Sequence, residues 1–130
     1  MTFQKALFNK IKSDMPALKL YYGNAFNVTP PYFVMFPVTS SLQGEVFCDS
    51  DDSGEILLQF SYASNLGAGP TEDGLETLHA LVKGIIGDIS YNSITFQIWE
   101  NVTEGIRLLG GASNNTWDAI FETRLKYKEI

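Results

Sequence analysis

The chain has 130 residues, 45% of them apolar and 18% charged, a composition that suits one folded domain and excludes an intrinsically disordered chain. Asp and Glu outnumber Lys and Arg 15 to 9, for a net charge of -6, and the basic residues stand mostly toward the two ends. Neither nucleic acid nor an anionic membrane is expected to be held by electrostatics, which needs clustered positive charge.

Thr2 is placed to cap a helix whose apolar residues Phe3, Leu7, Phe8, Ile11 and Met15 recur at steps of three and four, ending at Asp14, Met15 and Pro16. Leu18, Leu20 and Tyr22 alternate with Lys19 and Tyr21 as a short strand closed by Gly23 and Asn24. Residues 32–38 are apolar throughout, which predicts a mid-sheet strand covered on both faces, with Pro37 at an edge, bulge or strand end. This run is far shorter than the roughly 20 residues that span a bilayer.

Residues 44–47 and 55–62 flank the polar run 49–54 and predict a hairpin, with Ile56, Leu58, Phe60 and Tyr62 facing one way. After the loop 65–70, Thr71 is placed to cap a helix with Glu72 and Asp73 in its first turn. Leu75, Leu78, Val82, Ile85 and Ile86 form its apolar stripe, and Gly87 closes it. Ile94, Phe96 and Ile98 alternate as a strand, and residues 106–109 form a short apolar piece before the loop 110–115. In the last strand Trp117, Ala119, Phe121, Thr123, Leu125 and Tyr127 share one face, while Asp118, Glu122, Arg124 and Lys126 share the other. The order predicts a single α+β domain over residues 1–130, a mostly antiparallel sheet packed against two helices on one face.

Candidates for chemistry each have a plainer reading. His79 is the one histidine, sits inside the second helix and has no nucleophile placed beside it. Cys48 stands next to acidic residues that would raise a thiol pKa, and as the one cysteine it has no intrachain disulfide partner. Together with residues 1–5, which lack a secretory layout, it points to a reducing cytoplasm. The run Asp49, Asp51, Ser53, Gly54 imitates the opening of a calcium loop, but the twelfth position is Phe60 instead of Glu. One Cys and one His do not make the usual four-ligand zinc site. Residues 67–71 resemble an anion-binding loop without its Lys. No catalytic residue, cofactor or metal is therefore expected, and the protein is not read as an enzyme. With two Trp, six Tyr and nine Phe, the chain has aromatic residues such as Phe26 and Phe47 in loops or at strand ends. They fit an interface and equally fit plugs for the core. Leu108 and Leu109, between Gly105 and Gly110, share that ambiguity.

This layout, from the N-terminal helix through Tyr22-Gly23, the run Pro31-Tyr32-Phe33-Val34-Met35-Phe36, the hairpin arm 55–62, the helix 72–86 and the strands 94–99 and 117–127, resembles the tail-terminator or tail-completion proteins of long-tailed bacteriophages. The resemblance covers most of the chain and rests on no individually specific motif. It implies an α+β subunit of a virion tail, assembled in the host cytoplasm, forming a ring that is typically sixfold on the end of the tail tube. Its partners would be further copies of itself, the tail tube protein and a head-completion protein, with DNA passing through unbound. Asp49, Asp51 and Asp52 would then face either the lumen or a neighbouring subunit, and Phe26, Phe47, Leu108 and Leu109 would be interface residues. A head-tail connector of the same joint and a small-ligand-binding module are the competing expectations. A hydrolase or transferase relying on Asp and Ser alone is a third, with nothing in the sequence to cluster its groups.

Overall fold

The alternation read in the last strand organises the sheet. In the computed structural model, which describes residues 2–23, 28–42, 53–109 and 116–130, the elements are α1 (Thr2–Asp14), β1 (Leu20–Tyr22), β2 (Tyr32–Leu42), β3 (Ser53–Ser64), α2 (Ala68–Lys83), β4 (Gly87–Tyr91), β5 (Ile94–Thr103), β6 (Arg107–Leu109) and β7 (Trp117–Glu129). The described strands form one sheet in the order β1-β2-β3-β7-β5-β4, with β6 also paired to β7. Every pairing is antiparallel except the parallel β1–β2 contact. The architecture is the expected one: a single α+β domain with a mostly antiparallel, curled sheet and two helices.

β7 bonds β3 along Trp117–Lys128 and on its other side bonds β5 and then β6. Ala119, Phe121, Thr123, Leu125 and Tyr127 are buried, as their alternation predicts. They meet Ile56, Leu58, Phe60 and Tyr62 of β3 and Phe96 and Ile98 of β5 in one core. Both helices lie on this face. α1 contributes Phe3, Ala6, Leu7 and Ile11, with the Phe3 ring stacked on Tyr127 at 3.8 Å. α2 contributes Leu75, Leu78 and Val82.

Four local readings are corrected. Residues 32–38 are not covered on both faces: Met35 is fully buried but Phe36 is 46% exposed, because the helices cover only one side, and β2 lies beside the short edge strand β1. Pro37 does sit at a register shift in β2. α2 starts at Ala68, three residues before the expected cap; Gly67, at φ 104, is its N-cap, and the Thr71 hydroxyl turns back onto the Gly67 carbonyl at 2.5 Å. α2 stops at Lys83 with Gly84 as its C-cap, so Ile86 is exposed and Gly87, at φ 90, opens β4 instead of closing the helix. β4 itself has no counterpart in the sequence reading. It pairs with β5 through Asn92 and Ser93, whose φ values of 51 and 68 give the left-handed two-residue turn that matches strand twist. The expected arm 44–47 lies outside the described residues, and the described partner of β3 on that side is β2.

Candidate interaction surface

Period-2 geometry sends the other half of each strand to the face opposite the two described helices. Three rows cross β2, β3 and β7 there: Tyr32–Ala63–Asp118, Val34–Ser61–Ile120 and Phe36–Gln59–Glu122. The middle strand supplies small or slender side chains and its neighbours supply bulkier ones. A groove of ≈ 320 Å³ results, lined by Tyr32, Val34, Phe36, Gln59, Ser61 and Asp118 together with Gly23 and Ala63.

Exposed apolar residues flank this face on two sides. Phe36 and Val38 lie on β2; Trp99, Val102 and Leu109 lie on β5 and β6, each 40% to 53% exposed. Between them runs a strip of cross-strand ion pairs, Arg124–Glu55 at 3.2 Å, Lys126–Glu100 at 3.3 Å and Arg107–Glu122 at 3.7 Å. Lys126 also sits over the Trp99 ring at 5.3 Å. Such exposed pairs contribute about 0–1 kcal/mol each; their main effect is to cancel charge along the strip. Asp118 has no such cation, and burial pushes its carboxyl above the ordinary value of 3.8.

Of the residues singled out from sequence, Leu108 and Leu109 are described. Leu108 is half-buried against the core, whereas Leu109 stands opposite Asp118 and is 45% exposed. Phe26, Phe47, Cys48, Asp49, Asp51 and Asp52 lie outside the described residues. His79 has a structural part: its Nε2–H donates to the Glu104 carbonyl at 2.8 Å and its ring meets Phe121 edge-on at 4.8 Å. Phe60, the twelfth position of the calcium-like run, is a fully buried ring stacked on Phe121.

Sequence reading missed Asp118 and the groove because the three rows bring together residues up to 86 positions apart, from Tyr32 to Asp118. The one available signal was the pair of small residues Ser61 and Ala63 on the polar face of β3.

The fold and this face define a single-sheet α+β domain in which, among the described residues, both helices lie on one side of the sheet. One of 24 matching solved chains aligns over 99% of this protein and 91% of its own length, with a TM-score of 0.50 at 17% identity; a likeness at that identity concerns the fold alone. No protein-family model matches the sequence, and no curated protein does.

Proposed function

We propose that the protein is a structural virion-assembly protein, a tail terminator that closes into a ring on the end of a phage tail tube, stops tube growth and joins it to the head. In this reading its neighbours are further copies of itself, six in a full ring, then the tube protein below and a head-completion protein above. DNA passes through the ring without being bound. The layout of the chain supports the reading, and the observation that carries it is the open sheet face with two separate apolar flanks. A closed ring needs each subunit to offer two different patches to its neighbours. Phe36 and Val38 on one side and Trp99, Val102 and Leu109 on the other meet that need, with a charge-balanced strip between.

Native mass spectrometry of the purified protein, alone and with tail tubes ending in free subunits, tests this. The expected result is a single closed oligomer, free or templated by the tube end. A protein that stays monomeric at high concentration and leaves tube ends unoccupied overturns it. In that case the apolar groove of ≈ 270 Å³ beside α1, lined by Lys5, Phe8, Asn9, Tyr22 and Tyr91, favours the ligand-binding reading, marked by a monomer whose melting temperature rises with its ligand.

A further inference from the structure

The groove over β3 shares Phe36 with the β2 flank and has a further chemistry of its own. Its walls are the Tyr32 and Phe36 rings and Val34, its floor is Ser61 and Gln59, and one end holds the Asp118 carboxylate. Aromatic and aliphatic walls leading to one carboxylate are the surroundings in which a long basic side chain lays its apolar stem and presents its charge.

Among the described residues no cation pairs with Asp118. All nine Lys and Arg residues lie among the described residues, and none forms an ion pair with Asp118. Arg107, Arg124 and Lys126 are engaged with carboxylates on this same face, Lys10 with Asp14, and Lys12 with the Leu18 carbonyl. The Gln59 amide and Ser61 hydroxyl make no hydrogen bond among the described residues and line the groove. Residue 63 to residue 59 covers four strand steps, about 13 Å at ~3.3 Å per residue, the length of a short extended peptide and more than one small cation fills.

We propose that this groove docks an extended segment of a partner protein, placing a lysine or arginine against Asp118 and, two residues further along, an apolar side chain beside Val34. Asp118 is the one carboxylate in the lining of this groove and has no cation beside it among the described residues, so a basic side chain of a partner is attracted to it. Burial already holds the Asp118 carboxyl above its ordinary value, so a cation there relieves an existing desolvation cost.

The test is an NMR titration of the isotope-labelled full chain with acetyl-Arg-Thr-Val-Thr-Val-amide and with the same peptide carrying citrulline, which keeps the shape and removes the charge. The expected result is saturable shifts at Ser61, Ala63 and Asp118, with the arginine peptide about tenfold tighter, the effect of roughly one charge-assisted hydrogen bond. Asp118→Asn removes that preference and leaves the weaker citrulline binding intact. Ser61→Leu, which fills the groove at a surface position, blocks both peptides.

Equal affinity for the two peptides, shifts elsewhere, or a preference that survives Asp118→Asn overturns the proposal. So does arginine methyl amide binding as tightly as the whole peptide, since the site would then take a small cation. Self-association of the wild-type chain that Asp118→Asn abolishes would make a second copy the occupant and also overturn it. Ring closure is read by mass and arginine preference by titration, so failure of either reading is seen separately.

Discussion

The side-chain amide of Asn101 on β5 donates to the carbonyl of Val82 at 2.9 Å, and its second hydrogen reaches the Ile85 carbonyl at 2.8 Å. Carbonyls in the last turn of a helix have no partner within it, so Asn101 closes α2 from across the core. Its own Oδ1 accepts from Thr103 at 2.5 Å, and Thr103 is bonded to the buried Thr123 at 2.7 Å. Asn101→Leu keeps the bulk and strands the Ile85 carbonyl, while the Val82 carbonyl keeps the Ile85 N–H at 3.1 Å and the Thr103 and Thr123 hydroxyls keep each other. It should cost about 1–3 kcal/mol, the cost of a buried group left unsatisfied, read as a lower urea midpoint at unchanged slope.

Gly74 allows α2 to lie directly on β3. A methyl group there would come within 3.0 Å of Tyr62 Cζ and nearer still to Cε2. In most helix interiors Gly→Ala gains up to ~1 kcal/mol. Here Gly74→Ala should lose about 1–3 kcal/mol through overpacking. Adding Tyr62→Val should return part of that loss in a double-mutant cycle measured by chemical denaturation.

Ser93 occupies a left-handed turn position at φ 68, a conformation that costs an L-residue roughly 1–2 kcal/mol. Ser93→Gly relieves the strain but also frees the unfolded chain. A net gain of about 0.5–1 kcal/mol is expected, seen as a higher melting temperature with the sheet signal unchanged.

Because the folded state holds the Asp118 proton more tightly than the unfolded chain does, this group's contribution to stability is greatest below its ordinary pKa of 3.8 and falls as pH rises through the raised value. The residues opposite it, Ala63 on β3 and Leu109 on β6, do not titrate. Asp118→Asn should therefore melt with the wild type at strongly acidic pH and above it at neutral pH. A gap in melting temperature that is constant across the whole pH range would refute the assignment.

Phe36→Asp and Leu109→Asp replace exposed side chains on opposite flanks of the open face. Each should leave stability within about 0.5 kcal/mol of the wild type and reduce assembly on tube ends. Mixing the two variants should not restore full rings, because both patches are needed in every subunit.

Much of this fold was legible in local pattern. The alternation of residues 117–127 gives β7 its faces, and the spacing of Phe3, Leu7 and Ile11 gives α1 its buried stripe. The ends of α2 were not legible: Thr71 and Gly87 have the chemistry of caps, while the helix starts at Ala68 and ends at Lys83, capped by Gly67 and Gly84. β4 escaped notice because only Ile89 in it is fully buried, which leaves a weak periodic signal. The uniformly apolar run of β2 looked like a strand with two buried faces, when half of it contributes to the open surface. The proposed docking groove depends on β3 lying between β2 and β7, a non-local fact that no short window of residues contains.

β7 also sets the order in which this molecule can come into being. β3 and β5 do not pair with each other; β7 lies between them and joins the β2–β3 half to the β4–β5 half. On the ribosome, the β2–β3 and β4–β5 hairpins are each local enough to form early, but they wait as two separate halves until β7 emerges to bridge them. Pairings as distant in sequence as Ser53 with Lys128 carry a large loop-closure cost and fold slowly. Through that interval α1 and α2 are already made and can lie on the apolar faces of the two halves, but the core closes only when Phe121, Leu125 and Tyr127 of β7 arrive.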